Sequence, residues 1–291
     1  MMLRIGIVGA ENSHTVAIAQ TINVDGLIAD AQVVGVWGET SELAKSAAER
    51  GRIPLIVETP EAFIGKVDGV VVDHRHAKDH LLAAWPLLEA GIPLFIDKPF
   101  CYRVEEGIRF LNRAKQLGVP VTSFSVLPKQ QSFLRLQERI VALGELSTVI
   151  TTGPCDINSP WGGVFFYGIH QVDMLLRLTG YDLQEAAVHQ GDGKDHIATL
   201  RFASGRMASI NLIGSGAPNF HVTAIGANGR IDETITYDEK MYLSGIKAWV
   251  ELFRTGHLPE TDEGILGPIA ALEALERSVA ESLPVPLPKF G

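Results

Sequence analysis

The first half of the chain alternates short, continuous apolar runs with segments of helical period. The runs are Leu3–Gly9, Gln32–Trp37, Pro54–Val57, Val67–Asp73, Leu94–Lys98 and Val121–Ser125. They lack the two-residue alternation of a half-exposed strand and are too short for buried helices, so they predict strands covered on both faces. Between them, helix-period spacing predicts helices over Thr15–Ile22, Ser41–Arg50, Asp79–Ala90 and Arg103–Leu117, with a short one over Pro60–Ile64. Gly51, Gly91 and Gly118 stand where the longer helices should stop. Strands alternating with helices predict an α/β unit over residues 1–125, a doubly wound parallel sheet of the Rossmann type.

The pattern changes after Leu127. A helix is expected over Lys129–Leu143, a strand over Ser147–Thr152, a Pro- and Gly-containing loop over Pro154–Gly163, and a strongly apolar helix over Val164–Leu178. Strand-like runs then follow one another at Ala186–Gln190, Ile197–Phe202, Met207–Leu212, Phe220–Ala224 and Arg230–Thr234, with turn residues such as Ser204-Gly205 and Asn228-Gly229 separating them. Adjacent short strands joined by such turns predict an open, mainly antiparallel sheet. Helices over Tyr242–Arg254 and Glu263–Glu281 complete an α+β domain spanning 126–291. One face of that sheet is expected to pair copies of the chain into a homodimer or homotetramer.

At 291 residues the chain can form two domains. A net charge of −9, with no Lys/Arg-rich run, argues against a nucleic-acid surface. Two cysteines, Cys101 and Cys155, give no disulfide framework and fit a reducing cytoplasm. The opening Met-Met-Leu-Arg-Ile-Gly-Ile-Val-Gly is too short for a signal peptide's apolar region or a membrane span, so neither is expected.

The chemistry concentrates around Leu94-Phe-Ile-Asp-Lys-Pro-Phe-Cys101. An apolar strand there runs straight into Asp97, Lys98 and Pro99, and the residue before a proline is driven out of helical geometry. Lys98 is thus expected at the carboxyl edge of the sheet, where open α/β folds bind ligands. The first strand ends at Gly9 and leads through Ala10, Glu11, Asn12, Ser13 and His14 into a helix, the opening of a dinucleotide-binding unit. Its glycine fingerprint is reduced: the second and third glycine positions hold Glu11 and His14, so a plain strand–helix turn is the competing reading. Glu39, at the end of the second strand, would meet an adenosine ribose; no Arg or Lys lies in Gly38–Leu43, which favours NAD over NADP. The fourth strand ends in Asp73-His74-Arg75-His76-Ala77-Lys78-Asp79-His80, whose three histidines invite a metal reading. A polar loop with Asp79 as helix N-cap is preferred, and no metal site is expected. In the second half, Phe166, His170 and Asp173 share a face of an apolar helix, either as a satisfied core pair or as functional groups.

These pieces resemble the glucose–fructose oxidoreductase, inositol dehydrogenase and rhizopine-catabolism (Gfo/Idh/MocA) family over almost the whole chain. Ile96-Asp97-Lys98-Pro99-Phe100 is similar to its Glu-Lys-Pro-Leu signature, and Gly168-Ile-His170-Gln-Val-Asp173 to its Gly-x-His-x-x-Asp helix. The resemblance implies an NAD-dependent oxidoreductase acting on a sugar- or cyclitol-like small molecule. It implies Lys98, His170 and Asp173 as the chemical residues, with Pro99 in cis. Gly9, Ala10, Glu11, Asn12, Ser13, His14, Glu39, His74, Arg75, Asp97 and Lys98 would contact the cofactor, Arg75 or His14 offsetting phosphate charge. The chain departs from the family where an acid one turn before the histidine is replaced by Phe166, and where Ala-Thr-Pro is replaced by His74-Arg75-His76. A non-redox, ligand-binding member of the same fold is the alternative, and a metal-dependent lyase or isomerase using the three histidines the third reading.

Overall fold

The computed structural model describes residues 2–289. The chain forms two compact units: one from the chain up to Cys101 with Glu106–Phe124 and Tyr242–Thr261, the other from Tyr102–Glu105, Ser125–Met241 and the chain from Asp262 onward.

The first unit carries strands β1 (Leu3–Val8), β2 (Ala31–Trp37), β3 (Leu55–Ile56), β4 (Gly69–Val72), β5 (Leu94–Ile96) and β6 (Val121–Thr122). They form a six-stranded sheet in the order β3-β2-β1-β4-β5-β6, parallel throughout. The connecting helices are α1 (Ser13–Ala19), α2 (Ser41–Gly51), α3 (His80–Glu89) and α4 (Val104–Leu117), α4 beginning in the segment grouped with the second unit. The α1 helix runs on into a wider turn over Gln20–Val24, which extends past the expected end at Ile22.

Glycines in this sheet make room for aromatic rings on both faces. Gly6 and Gly35 are register partners, and a Cβ on either would meet Phe63 at 3.0 or 2.7 Å. Gly69 pairs with Ile5, on the opposite face, and a Cβ there would meet Phe253 at 2.4 Å. Phe253 belongs to helix α7 (Leu243–Thr255), which returns from late in the sequence to this unit. Its buried face, Ile246, Trp249, Val250 and Phe253, joins Ile5, Val33, Val71 and Phe95 in one core. Trp249 stacks on Phe95 at 5.8 Å, and Phe95 meets Phe124 at 5.0 Å.

The second unit holds α5 (Gln131–Ile140), β7 (Leu146–Pro154), α6 (Val164–Thr179), β8 (Leu183–Gln190), β9 (Asp195–Phe202), β10 (Met207–Ile213), β11 (Phe220–Gly226), β12 (Gly229–Ile235), α8 (Asp262–Glu281) and β13 (Val285–Pro286). Its seven strands run in the order β12-β11-β7-β10-β9-β8-β13. All neighbours are antiparallel except β7 and β10, which are parallel. Alternate residues of β9 and β10 (Ala198, Leu200 and Phe202; Ala208, Ile210 and Leu212) turn into the core, as period-two strands must when one face is covered. The proline-rich end, which carries no strand signal, supplies β13 as an edge strand, where proline's missing N–H does no harm. Helix α5 is shorter than its apolar pattern because single 3-10 turns over Leu127–Lys129 and Val141–Leu143 take up its ends. Among the described residues no helix is long and apolar enough to cross a membrane.

Trp249→Ala should lower the stability of the first unit by about 3–5 kcal/mol, read from the urea midpoint. A loss under about 1 kcal/mol, the level of an ordinary surface change, would refute α7 as part of this core.

Candidate active site

The parallel ladder brings three chain positions side by side at the carboxyl edge of the first sheet. Gly9 N donates to Trp37 O (3.0 Å), Asp73 N to Val8 O (2.7 Å) and Asp97 N to Val72 O (2.8 Å). Each bond continues its ladder one step beyond the strand and fixes where the following side chain begins. Gly9 has φ +116°, and a Cβ on it would lie 2.5 Å from Asp73 O. Only glycine fits that approach.

Two buried carboxyls stand on this edge. Asp73 Oδ1 accepts from Asn12 Nδ2 at 2.7 Å, and the same amide nitrogen reaches Asp97 Oδ2 at 3.3 Å. Asn12 therefore bridges the pair with its two amide protons. Asp73 Oδ2 lies 2.7 Å from Thr15 Oγ1, which is 2.9 Å from Gly9 O. Asp97 Oδ2 is 3.0 Å from His14 Nδ1 and 3.6 Å from Lys98 Nζ. The two acids are driven apart. Burial and the neighbouring Asp97 charge push Asp73 well above the ordinary carboxylate range. Burial pushes Asp97 the same way, but His14 and Lys98 outweigh it and hold its carboxyl well below that range. Opposite shifts are what a pair carrying one net charge requires.

Lys98 is 10 % exposed at its side chain, and the Lys98–Pro99 peptide is cis. Its loop is tied to the loop after β4 by His80, whose Nδ1 lies 2.8 Å from Pro99 O and Nε2 2.9 Å from His74 O. Burial holds His80 below the ordinary histidine range, opposed by these two carbonyls and by Asp97. Burial likewise pushes His74 down to about 3, with His80 adding to the shift, so His74 is neutral. Both ring nitrogens of His80 face carbonyls, and His76 Nδ1 accepts from Lys78 N as a cap. That cap belongs to His76; Asp79, the expected one, makes no side-chain capping bond, because a 3-10 turn over Ala77–Asp79 precedes α3 and moves the helix entry upstream. His14, Asp73 and Asp97 also have ligand atoms within 4.8 Å of one another, but these atoms are engaged with Asn12, Thr15, Lys98 and each other.

The expected cofactor contacts can be placed along the same edge. Glu39 Oε2 accepts from Ala10 N (2.8 Å) and Glu11 N (3.0 Å), while Glu39 Oε1 is buried with no hydrogen-bond partner. A buried carboxylate oxygen without a donor is costly, and a ribose hydroxyl is the donor that would satisfy it. NAD fits these residues: Glu39 would hold the ribose and the N–H groups opening α1 would face the phosphates, while a second carboxylate-facing phosphate, as in NADP, would be repelled. His14 turns its Nδ1 toward Asp97, with its ring 5.2 Å from Tyr242. Arg75 is exposed and His74 buried.

In the second unit, His170 and Asp173 sit buried on α6. Ser125 serves both: its Oγ pairs with His170 Nδ1 at 2.7 Å and its backbone N donates to Asp173 Oδ2 at 3.4 Å. Arg177 Nε donates to Asp173 Oδ1 at 2.8 Å. The His170 ring lies beside Tyr167 (5.8 Å) and Phe220 (5.4 Å). Phe166 packs against Tyr167 at 5.0 Å and Trp161 at 6.5 Å. Sequence reasoning missed Ser125, Thr15 and the pairing of Asp73 with Asp97. Only Asp73 had a signal, since an acid closing the all-apolar run Val70-Val-Val needs a buried partner.

His80→Leu removes the one N–H that the neutral imidazole offers to the Pro99 and His74 carbonyls and should destabilise the protein by on the order of 1–3 kcal/mol. Thermal denaturation checks this, and a variant as stable as the native protein would refute the clamp.

Residues 3–125 match the family model described as the oxidoreductase family with NAD-binding Rossmann fold, GFO_IDH_MocA. Among solved structures, GenD2 from gentamicin A biosynthesis, in complex with NAD, superposes with TM-score 0.85 at 17% identity, covering 99% of this chain and 97% of that one. Scyllo-inositol dehydrogenase from Lactobacillus casei, with bound NAD(H) and scyllo-inositol, gives 0.85 at 15% identity, covering 98% and 99%. Myo-inositol 2-dehydrogenase from Lactobacillus plantarum gives 0.84 at 14%, covering 99% and 100%. At such identities the likeness is one of fold. No curated protein matches the chain in sequence. Residues 3–125 therefore match the NAD-binding Rossmann part of the Gfo/Idh/MocA oxidoreductase family, and the whole chain shares the fold of these dehydrogenases.

Proposed function

We propose that the protein is an NAD-dependent dehydrogenase that oxidises a secondary alcohol of a polyhydroxylated small molecule, a sugar or cyclitol. The observation that carries this reading is Lys98, nearly buried at the carboxyl end of β5 and 3.6 Å from Asp97. It stands on the sheet edge that also holds the Gly9 turn and the half-satisfied Glu39.

NAD, when bound, supplies the hydride acceptor. Removing hydride from an alcohol carbon requires the hydroxyl proton to leave, so a cation at the hydroxyl and a positioned base are both needed. Lys98 takes the first role in this reading. Asp97 compensates its charge and restrains its stem, which favours one orientation over free rotation. His170 takes the second role. Its pairing with Ser125 fixes the imidazole, the task an acid one turn earlier on the helix would perform and Phe166 cannot. Asp173, neutralised by Arg177, supports Ser125 from its backbone side and acts as a positioning residue. The substrate class rests on the family and on the inositol and NAD(H) bound in the relatives named above; a homo-oligomer formed through the second unit's sheet belongs to the same proposal.

The test is a fluorescence titration with NADH and NADPH, followed by turnover assays against a panel of sugars and cyclitols. NADH should bind in preference to NADPH. Lys98→Ala should then lower kcat by at least about 100-fold while leaving NADH affinity within a few-fold of the native value. No NADH binding at millimolar cofactor, or a Lys98→Ala enzyme of unchanged rate, would overturn the proposal.

A further inference from the structure

The hydroxyl of Thr15 has two neighbours but one proton. Its Oγ1 lies 2.9 Å from Gly9 O and 2.7 Å from Asp73 Oδ2. The carbonyl can only accept. If Thr15 gives its proton to an ionised Asp73, the Gly9 carbonyl faces a hydroxyl lone pair at hydrogen-bond distance. If Thr15 gives it to Gly9, the shorter contact needs a proton from Asp73. The second arrangement satisfies every atom, and the rest of the network agrees with it. Asp73 Oδ1 already accepts from Asn12. Asp97, the other carboxyl of the bridge, faces the His14 imidazole at 3.0 Å and the Lys98 ammonium at 3.6 Å.

We infer that Asp73 is a neutral acid in the folded protein at neutral pH, and that it positions the nucleotide-binding turn by donating to Thr15, which in turn holds the Gly9 carbonyl. The inference rests on the NAD-binding reading above and adds a proton linkage to it. Gly9 immediately precedes Ala10 and Glu11, whose N–H groups point to Glu39. A fixed Gly9 carbonyl therefore fixes the peptide plane that carries Ala10 N, one of the two donors that hold the ribose-facing Glu39 in place. Ionisation of Asp73 would remove the donor to Thr15, strip Gly9 O of its partner, and set two carboxylates against each other across Asn12.

The charged groups facing Asp73 define when this occurs. Asp97 opposes its ionisation, while Lys98 favours it; the His14 imidazole lies 3.8 Å from Asp73 Oδ1, and His80 acts on the pair through Asp97. Burial is the largest effect and favours the neutral form. A carboxyl whose folded value is raised contributes stability that is full at low pH and lost as pH rises through that value. NADH affinity should follow the same sign and weaken on the alkaline side, by up to about tenfold per pH unit for a single linked proton.

Asp73→Asn separates the alternatives. An asparagine can donate from Nδ2 to Thr15 and accept at Oδ1 from Asn12, which reproduces the neutral acid and cannot titrate. Infrared spectra of cofactor-free protein should show the carbonyl band of a protonated carboxylic acid at neutral pH, absent from the Asp73→Asn protein. NADH titrations across pH should show the alkaline loss of affinity in the native protein and a flat profile in Asp73→Asn. Asp73→Val, which offers no donor, should bind NADH weakly at every pH. A native spectrum without the acid band would overturn the protonation, whatever the cofactor does. Parallel NADH profiles in native and Asp73→Asn protein would overturn the positioning role. Absence of NADH binding in both would overturn the cofactor reading and the linkage with it, with the infrared band still deciding the state of Asp73.

Discussion

Two carboxyl groups closed off from water at neighbouring strand ends cannot both stay charged, and the first unit's binding edge is built around that constraint. Asp73 and Asp97 leave β4 and β5 on adjacent ladders, so their proximity follows from the parallel register. One amide, Asn12, spans both. The His14 imidazole and the Lys98 ammonium gather on Asp97 and the hydroxyl on Asp73. The polar edge thereby becomes a closed hydrogen-bonded arrangement rather than an isolated buried charge, which the interior would not tolerate.

The same arrangement explains how a turn short of glycines keeps a fixed shape. A glycine-rich loop reaches its shape because nothing obstructs it. Here a single glycine is essential by geometry, Gly9 with φ +116° against the Asp73 backbone, and the rest of the shape is imposed by bonds. Thr15 holds the carbonyl of Gly9, Asn12 and His14 turn inward to the acids, and Glu39 draws in the next two N–H groups. Side-chain hydrogen bonding replaces backbone permissiveness. The consequence is a turn whose shape depends on a protonation state, which a turn made of glycines would not have.

In the second unit the corresponding economy is at Ser125. Phe166 packs against Trp161 and Tyr167, and orientation of His170 falls to a serine far away in sequence. One residue thus contacts both polar groups of an otherwise apolar helix, through its hydroxyl and its amide.

Most of the architecture was legible because it depends on periodicity. Continuous apolar runs against helical spacing identified the doubly wound sheet, alternation and turn residues identified the second sheet, and the residue before Pro99 had to stand where a strand ends. These are local properties of ten or fifteen residues, and burial preserves them whatever the rest of the chain does. Partnerships are different. Thr15 reads as an ordinary helix residue, Ser125 as the end of a strand, and α7 as part of the second half, although its Trp249 and Phe253 complete the first core. His80 reads as one of three clustered histidines, yet its two nitrogens tie the loops that carry His74 and Pro99. Spacing along the chain says nothing about which strand ends become neighbours. That is set by the order β3-β2-β1-β4-β5-β6, and only this order makes two acids twenty-four positions apart share one amide and one charge.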